Sequence, residues 1–143
     1  MRYGHRIAVI IPALNEEDSI GHVIAAIPDW ADDVIVADNG SSDATEQRAL
    51  EAGARVIGES RRGYGSACLA AIARLDEPDI VVFLDGDFSD RPEEMDLLVD
   101  PIISGDAEMV IGSRVLGRRE PGALSVQQRF GNSLACLLIR LFW

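Results

Sequence analysis

Residues 7–17 read IAVIIPALNEE, and the first five of them form an unbroken apolar run. A run of this kind, rich in branched side chains, predicts a strand that is buried on both faces, as in a parallel sheet. We expect the strand to end at Pro12, because proline cannot donate to a sheet ladder. Apolar residues at three- and four-residue steps then predict a helix over residues 17–27.

The same alternation of short apolar runs and helical spacing continues along the chain. It predicts strands over residues 34–37, 54–58, 80–84 and 108–111, helices over residues 43–52, 64–75, 92–103 and 125–142, and a loop over residues 112–123. We expect the most apolar of these strands, residues 80–84, to lie at the centre of the sheet. The alternation indicates an α/β protein with a mostly parallel sheet and helices on both faces. Ligands of such sheets bind beyond the carboxyl ends of the strands.

The chain has 143 residues, of which 48% are hydrophobic and 26% are charged, as in an ordinary globular protein. This length predicts a single domain. Its 24 acidic residues outnumber the 13 basic ones, for a formal net charge of -11. Such a balance argues against nucleic-acid binding, which needs a basic surface to displace counterions. Every basic residue is an arginine, which excludes lysine chemistry such as a P-loop lysine or a Schiff base.

Cys68 and Cys136 lie in apolar, helix-like segments without metal-ligand spacing, which is typical of buried thiols in a reducing compartment. The first residues lack the apolar run of a signal peptide, and no stretch approaches the roughly 18 apolar residues of a membrane span. These features predict a cytoplasmic protein. The apolar segment 134–143 leaves two interpretations open, namely packing in a core or oligomer interface, which we favour, and contact with the inner face of a membrane.

Polar and mostly acidic residues follow four of the predicted strands. Residues 12–17 read PALNEE, residues 38–43 read DNGSSD, residues 85–87 read DGD and residues 112–114 read GSR. Because the carboxyl ends of parallel strands meet at one edge of a sheet, we expect these groups to converge on one site.

Two carboxylates, Asp85 and Asp87, flank a single glycine after the most apolar strand. The pair suits one hard divalent cation, because Mg²⁺ takes one or two protein carboxylates and completes its shell with water and phosphate oxygens. Solvated turn aspartates are an equally good interpretation of this motif taken alone. Asp38 is placed either to accept a hydrogen bond from a ribose hydroxyl or base N–H, or to stabilise the turn before the next helix.

Residues 61–65 read RRGYG and open the third predicted helix. They resemble the start of a dinucleotide-binding fingerprint, but Cys68 occupies the position of its third glycine. The backbone N–H groups and arginines here either face an anion or form a plain loop-to-helix turn. Further arginines are concentrated towards the C-terminus, at Arg114, Arg118, Arg119 and Arg129. We favour phosphate binding for Arg114, which follows a strand, and leave the roles of Arg118 and Arg119 open.

Taken in order, the motifs at residues 10–17, 38–43, 62–65, 83–87 and 112–114 resemble those of the family 2 glycosyltransferases with the GT-A fold. Within that family the chain is most similar to dolichyl- and polyprenyl-phosphate sugar synthases. The resemblance covers nearly the whole chain. It implies a Rossmann-like sheet and a metal-dependent transferase that moves a sugar from a UDP- or GDP-sugar to an acceptor, such as a polyprenyl phosphate at the membrane surface, by inverting displacement.

The resemblance also implies roles for individual residues. The donor pocket would be lined by Pro12, Ala13, Asn15, Glu16, Asp38 and Gly63. The catalytic set would be Asp85, Asp87 and Arg114. Asp85 and Asp87 would hold Mg²⁺ or Mn²⁺, with Asp87 the more direct ligand, and Arg114 and Arg129 would hold donor or acceptor phosphates.

Three features depart from the family pattern. Tyr64 stands where many relatives have lysine, and Ser89 stands where the dolichyl-phosphate mannose enzymes carry a glutamine near the metal. The chain also stops at Trp143, earlier than many relatives, so we expect residues 1–143 to form a nucleotide-sugar-binding domain that is incomplete at its C-terminal end.

Two other functions compete with a glycosyltransferase. The short chain suits a non-catalytic nucleotide-binding module. The Asp85-x-Asp87 motif also resembles the nucleophile motif of haloacid-dehalogenase-like phosphatases, with Ser89 at their threonine position. The phosphatase ranks last, because that class wants the motif on an early strand and a supporting basic residue, usually lysine.

Overall fold

The computed structural model describes residues 1–113. The chain divides into two compact units, residues 1–110 and 111–143. The elements of the first unit are β1 (Ile7–Ala13), α1 (Ile20–Ala26), β2 (Asp33–Asp38), α2 (Thr45–Glu51), β3 (Arg55–Gly58), α3 (Tyr64–Ile72), β4 (Ile80–Phe83), a 3₁₀ turn (Pro92–Glu94) and α4 (Asp96–Ile103). The helix predicted over residues 125–142 lies outside the described residues, and the single domain over residues 1–143 stays a prediction.

The described strands form one parallel sheet in the order β3-β2-β1-β4. This confirms the α/β class and the parallel sheet. The expectation that residues 80–84 form the central strand is wrong for the part of the chain that the structure describes, where β4 lies at one end of the sheet. β1 and β2 take the two inner positions of the described sheet. All 7 residues of β1 are buried there, whereas Phe83 of β4 is 44% exposed.

β1 continues through Pro12 to Ala13 and still pairs with β2 there, so the expectation that Pro12 ends the strand is wrong. In a strand, the N–H and C=O groups of one residue point towards one neighbouring strand, and those of the next residue point towards the other. The carbonyl of Ala13 accepts a hydrogen bond on the β2 side and that of Ile10 accepts one on the β4 side, so Pro12, two residues from Ile10, also faces β4. The β4 ladder ends with Phe83 opposite Ile10, so the missing N–H of Pro12 interrupts no described bond of that ladder.

Helices cover both faces of the sheet, as predicted. Side chains of α1, α2 and α4 pack on one face, in a buried cluster that includes Val9, Ile11, Val23, Ala49 and Val99. The second cluster lies on the opposite face, where α3 contacts β1 and β2 through Ile10, Ile35, Ala37, Ala67 and Ala71. The odd and even residues of β1 therefore belong to different cores, which explains its unbroken apolar run.

Several element boundaries differ from the sequence prediction. α1 begins at Ile20 rather than at residue 17, because Asn15 adopts a left-handed φ of 58° and the next residues form a turn. The segment predicted to be one helix over residues 92–103 is a 3₁₀ turn followed by α4. The strand predicted over residues 108–111 is absent: no described strand pairs with these residues, and Met109 is 73% exposed.

Arg2 fastens the N-terminal segment to α4. Its Nε and Nη2 lie 2.6 and 2.7 Å from the two carboxylate oxygens of Asp100, and its guanidinium lies 4.8 Å from the centre of the Trp30 ring. The hydrogen bonds from Arg2 lower the pKa of the Asp100 carboxyl below its ordinary value. A guanidinium that is paired with a carboxylate and stacked on an aromatic ring contributes more to folding stability than an isolated surface ion pair does.

Replacing Asp100 with asparagine should lower the free energy of unfolding at about pH 7 and leave it nearly unchanged in strong acid. Because folding lowers the pKa of Asp100, its contribution is present above the unfolded pKa and is lost as the pH falls through the folded value. Urea titrations of both proteins from about pH 7 down to about pH 2 measure the difference. Asp76→Asn is the control, because that carboxylate is 91% exposed and makes a 3.3 Å contact with Arg6. A deficit in Asp100→Asn that is equally large at every pH would contradict this assignment.

Candidate functional site

A cavity of about 340 Å³ opens at the carboxyl edge of the sheet. Three of the four polar strand ends contribute to it, together with the start of α3. Its lining consists of Pro12, Ala13, Leu14, Glu16, Asn39, Arg62, Gly63, Tyr64, Ala67, Asp85, Gly86 and Asp87. The volume lies within the range of about 300–1,000 Å³ that is common for small-molecule sites. The sheet therefore brings together, in one cavity, most of the residues that the sequence nominated.

Asp85 and Asp87 lie on a turn that directly follows β4. Asp85 is partly buried and Asp87 is exposed. The N–H of Asp85 donates to Oδ2 of Asp90 at 3.0 Å, and the N–H of Ser89 donates to Oδ1 of Asp87 at 2.9 Å. Phe88 closes the turn with a left-handed φ of 60°. These bonds hold the backbone of Asp85 and the carboxylate of Asp87 in place at the wall of the cavity.

The two aspartates are a donor set for a cation that shares its shell with a ligand. Within residues 1–113 no cluster of three or more His, Cys, Asp or Glu side chains is arranged to hold a metal ion. Mg²⁺ needs no such cluster, since it takes one or two carboxylates and otherwise binds water and phosphate oxygens. The chemistry of the pair therefore fits a metal that arrives with a diphosphate.

Asp38 ends β2 and is 9% exposed. Its Oδ2 accepts hydrogen bonds from the N–H groups of Gly40 and Ser41, at 3.3 and 3.2 Å. Its Oδ1 is buried and has no hydrogen-bond partner among the residues described. A buried carboxylate oxygen without a donor is unfavourable, so a ligand N–H or O–H that reached it would be stabilising.

The loops after β1 and β2 are linked through Asn15. Its Oδ1 accepts from the N–H of Ser42 at 2.8 Å, and its own N–H donates to Oγ of Ser41 at 2.9 Å. Asn15 is exposed and lies outside the cavity lining, whereas Pro12, Ala13, Glu16 and Gly63, also expected in the donor pocket, line the cavity. Asn15 thus connects two loops in this structure.

Asn39 is a structurally important residue to which the sequence analysis gave no role. It is 5% exposed, and its Nδ2 donates to the carbonyls of Glu59 and Arg61, at 3.0 and 2.9 Å. Its Oδ1 accepts from the N–H of Gly63 at 2.7 Å. A carboxamide can donate and accept at once, which a carboxylate cannot do. The available signal was the carboxamide itself, placed directly after a buried strand. These bonds hold the loop that carries Arg62 and Gly63 into the cavity.

Some of the remaining expectations concern residues that the structure does not describe, and others can be compared with it. Arg114, Arg118, Arg119, Arg129 and Cys136 lie outside the described residues. Cys68 is buried, as predicted, and burial raises the pKa of its thiol. In the part of the chain that the structure covers, no helix is both long enough and apolar enough to cross a membrane.

Residues 8–141 match the family model described as Glycosyl transferase family 2. The chain belongs to glycosyl transferase family 2. This confirms the resemblance drawn from the motifs and removes the phosphatase alternative. The narrower likeness to dolichyl- and polyprenyl-phosphate sugar synthases stays a prediction.

Curated relatives of this family 2 chain come from bacteria and archaea. It is 40% identical over 123 residues to the glucosyl-3-phosphoglycerate synthase of Mycolicibacterium paratuberculosis, covering 77% of this chain and 37% of that protein. It is 36% identical over 144 residues to the low-salt glycan biosynthesis hexosyltransferase Agl6 of Haloferax volcanii, covering 96% of this chain and 34% of that protein. The chain therefore spans about a third of the length of these two relatives.

Solved structures of family 2 enzymes share this fold. A crystal structure of the Mycobacterium tuberculosis glucosyl-3-phosphoglycerate synthase contains Mn²⁺, UDP-glucose and phosphoglyceric acid. It superposes with a TM-score of 0.65 at 40% identity, covering 72% of this chain and 41% of that chain. The likeness confirms the GT-A, Rossmann-like fold expected from the sequence.

Replacing Asn39 with aspartate should destabilise the protein by about 2 kcal/mol or more, since the carbonyls of Glu59 and Arg61 would lose their donor and face a buried carboxylate. Denaturant titration measures the loss, and amide hydrogen exchange should show faster exchange at Gly63. Gln47→Glu is the matched control, because the Gln47 carboxamide is exposed and donates to Glu51 at 2.8 Å on the surface of α2. Equal stability losses in the two variants would show that Asn39 does not hold the loop.

Proposed function

We propose that this chain binds the donor of a metal-dependent glycosyltransferase, which moves a sugar from a UDP-sugar to an acceptor by inverting displacement. The observation that carries the proposal is the convergence of two carboxylates, Asp85 and Asp87, with the loops after β1 and before α3 around one cavity. Membership of glycosyl transferase family 2 supports it.

The nucleotide end of the donor belongs, in this proposal, near Asp38. The unpartnered Oδ1 of Asp38 would accept a hydrogen bond from a base N–H or a ribose hydroxyl, after a small shift of the groups that bury it. Pro12, Ala13 and Gly63 offer small or flat surfaces in the adjacent cavity. We favour UDP-glucose over a GDP-sugar, because the M. tuberculosis synthase binds UDP-glucose and is 40% identical over the part that superposes.

The diphosphate end belongs near Asp85 and Asp87, which would hold Mg²⁺ or Mn²⁺. Two carboxylates one residue apart repel each other, and a shared cation relieves that repulsion. When bound, the cation would neutralise the charge that grows on the leaving diphosphate. Asp87 is the more exposed of the two and is the more direct ligand in this proposal. The bond from the N–H of Ser89 orients its carboxylate.

The acceptor we propose carries a phosphate. An acceptor oxygen forms the new bond to the anomeric carbon while the bond to the nucleoside diphosphate breaks. A polyprenyl phosphate would attack through an oxygen that is already anionic and would need no general base. Phosphoglyceric acid, present in the M. tuberculosis structure, would attack through a hydroxyl and would lose a proton to a base. Arg114 and Arg129 are proposed to bind the donor or acceptor phosphates.

A non-catalytic nucleotide-binding module is the second candidate. The observation that favours it is the lining of the cavity, where the residues given a role above serve the donor and its metal. Both candidates bind a nucleotide sugar, and they differ in whether a glycosylated product is formed.

Titration with UDP-glucose and GDP-glucose in the presence of Mn²⁺, followed by product assays with polyprenyl phosphate and 3-phosphoglycerate, tests the proposal. Asp87→Asn should abolish Mn²⁺-dependent binding and lower any transfer rate at least about a hundredfold, because the metal supplies several kcal/mol of transition-state stabilisation. Asp29→Asn is the control, as Asp29 is exposed and lies outside the cavity lining.

Each outcome separates the candidates. Binding without product on either acceptor favours the non-catalytic module. Product with one acceptor alone identifies the acceptor. Full Mn²⁺-dependent binding and transfer by Asp87→Asn would refute the assignment of the metal to the aspartate pair.

A further inference from the structure

Ser19 directly precedes α1, at the N-cap position, yet its hydroxyl does not cap that helix. Serine at such a position normally accepts a hydrogen bond from a backbone N–H in the first turn. The structure shows no side-chain capping bond from Ser19. Its hydroxyl is directed to a different part of the chain, so helix capping does not account for this side chain.

The Ser19 hydroxyl contacts the turn between Asp85 and Asp87. Its Oγ lies 2.8 Å from the carbonyl oxygen of Gly86, 3.0 Å from Oε2 of Glu16 and 3.3 Å from the carbonyl oxygen of Glu16. All three oxygens are acceptors, and a hydroxyl has one proton to donate. The contact with Gly86 is the shortest and has the length typical of an O–H···O bond, about 2.7–2.8 Å, so we assign the proton to that carbonyl.

Gly86 is the residue through which this bond acts on the aspartates. Its carbonyl shares a rigid peptide plane with the N–H of Asp87, so a bond to the carbonyl fixes the direction from which Asp87 leaves the backbone. The other side of Gly86 is packed against the end of β1. A Cβ atom there would lie 3.4 Å from Cγ of Glu16 and 3.5 Å from the carbonyl oxygen of Pro12.

The other hydrogen bonds described for this turn act on its two ends. Asp90 accepts from the N–H of Asp85, and Asp87 accepts from the N–H of Ser89. Among the hydrogen bonds described for this turn, that of Ser19 acts on the carbonyl between the two aspartates. Loss of this hydroxyl would remove a restraint on the central peptide without changing either carboxylate.

We propose that Ser19 is a positioning residue that orients the metal-binding pair through the carbonyl of Gly86. This rests on the proposed function, which assigns a divalent cation to Asp85 and Asp87, and it makes the first turn of α1 part of the support of that site. Groups that orient metal ligands typically contribute about 10–100-fold to metal affinity.

Mn²⁺ binding to the 143-residue chain in the presence of UDP tests this proposal, measured by calorimetry and by the electron paramagnetic resonance signal of free Mn²⁺. Ser19→Ala should weaken Mn²⁺ binding by about tenfold or more, and Ser19→Thr, which keeps the hydroxyl, should restore it. Ser104→Ala is the matched control. The Ser104 hydroxyl also donates to a backbone carbonyl, that of Pro101 at 3.2 Å, but lies at the end of α4. Thermal melts of all variants report whether each one is folded.

The outcomes are distinct. Weakened Mn²⁺ binding by folded Ser19→Ala, with recovery in Ser19→Thr, supports the positioning role. Unchanged Mn²⁺ affinity in Ser19→Ala overturns it, as does an equal loss in Ser104→Ala, or a loss in Ser19→Ala that Ser19→Thr does not restore. If Ser19→Ala does not fold, Ser19→Thr decides alone, and failure to bind Mn²⁺ at the parent affinity overturns the role. Absence of any Mn²⁺ binding by the parent chain would overturn the proposed function itself.

Discussion

The parallel register of β1 between β2 and β4 determines where every residue of the site lies. β1 is buried along its whole length, and its pairing sets Ala13 opposite Asp38 and Ile10 opposite Phe83. The loops that follow the three strands therefore start at the same edge of the sheet. A slip of one residue would exchange the two buried faces of β1 and separate these loops, so the two apolar cores hold the site in place as well as the fold.

Side-chain to backbone hydrogen bonds then join the loops to one another. Asn15 connects the loop after β1 to the loop after β2, and Asn39 connects the end of β2 to the loop before α3. Ser19 connects the start of α1 to the turn after β4. Because these bonds are made by the protein alone, the cavity is largely formed before a ligand enters, which reduces the ordering cost of binding.

Sequence periodicity predicted the succession of strands and helices well, because alternating buried faces require regular apolar spacing. It predicted residues 80–84 as the central strand, whereas among the described strands β4 lies at one end of the sheet, because hydrophobicity alone does not show which strand gains neighbours on both sides. It also predicted a strand over residues 108–111, where the described residues supply no pairing partner. Strand assignment depends on such partners, which apolar content does not reveal.

The polar residues at the strand ends were visible as motifs, but their individual connections were not. Asn39 contacts a carbonyl 22 residues away and Ser19 contacts one 67 residues away. In a sequence, both residue types are equally well explained by local turns and helix caps. Only the folded chain shows that each hydroxyl or amide is used at long range.

Pro12 has a consequence for the shape of the molecule at this edge. A residue with an N–H in its place would present a complete set of backbone groups towards β4 and would invite the neighbouring strand to extend. A longer β4 would occupy the space in which Asp85 and Asp87 turn away from the sheet. Because proline has no N–H, it disfavours this extension of β4 and so favours the turn that carries the two aspartates.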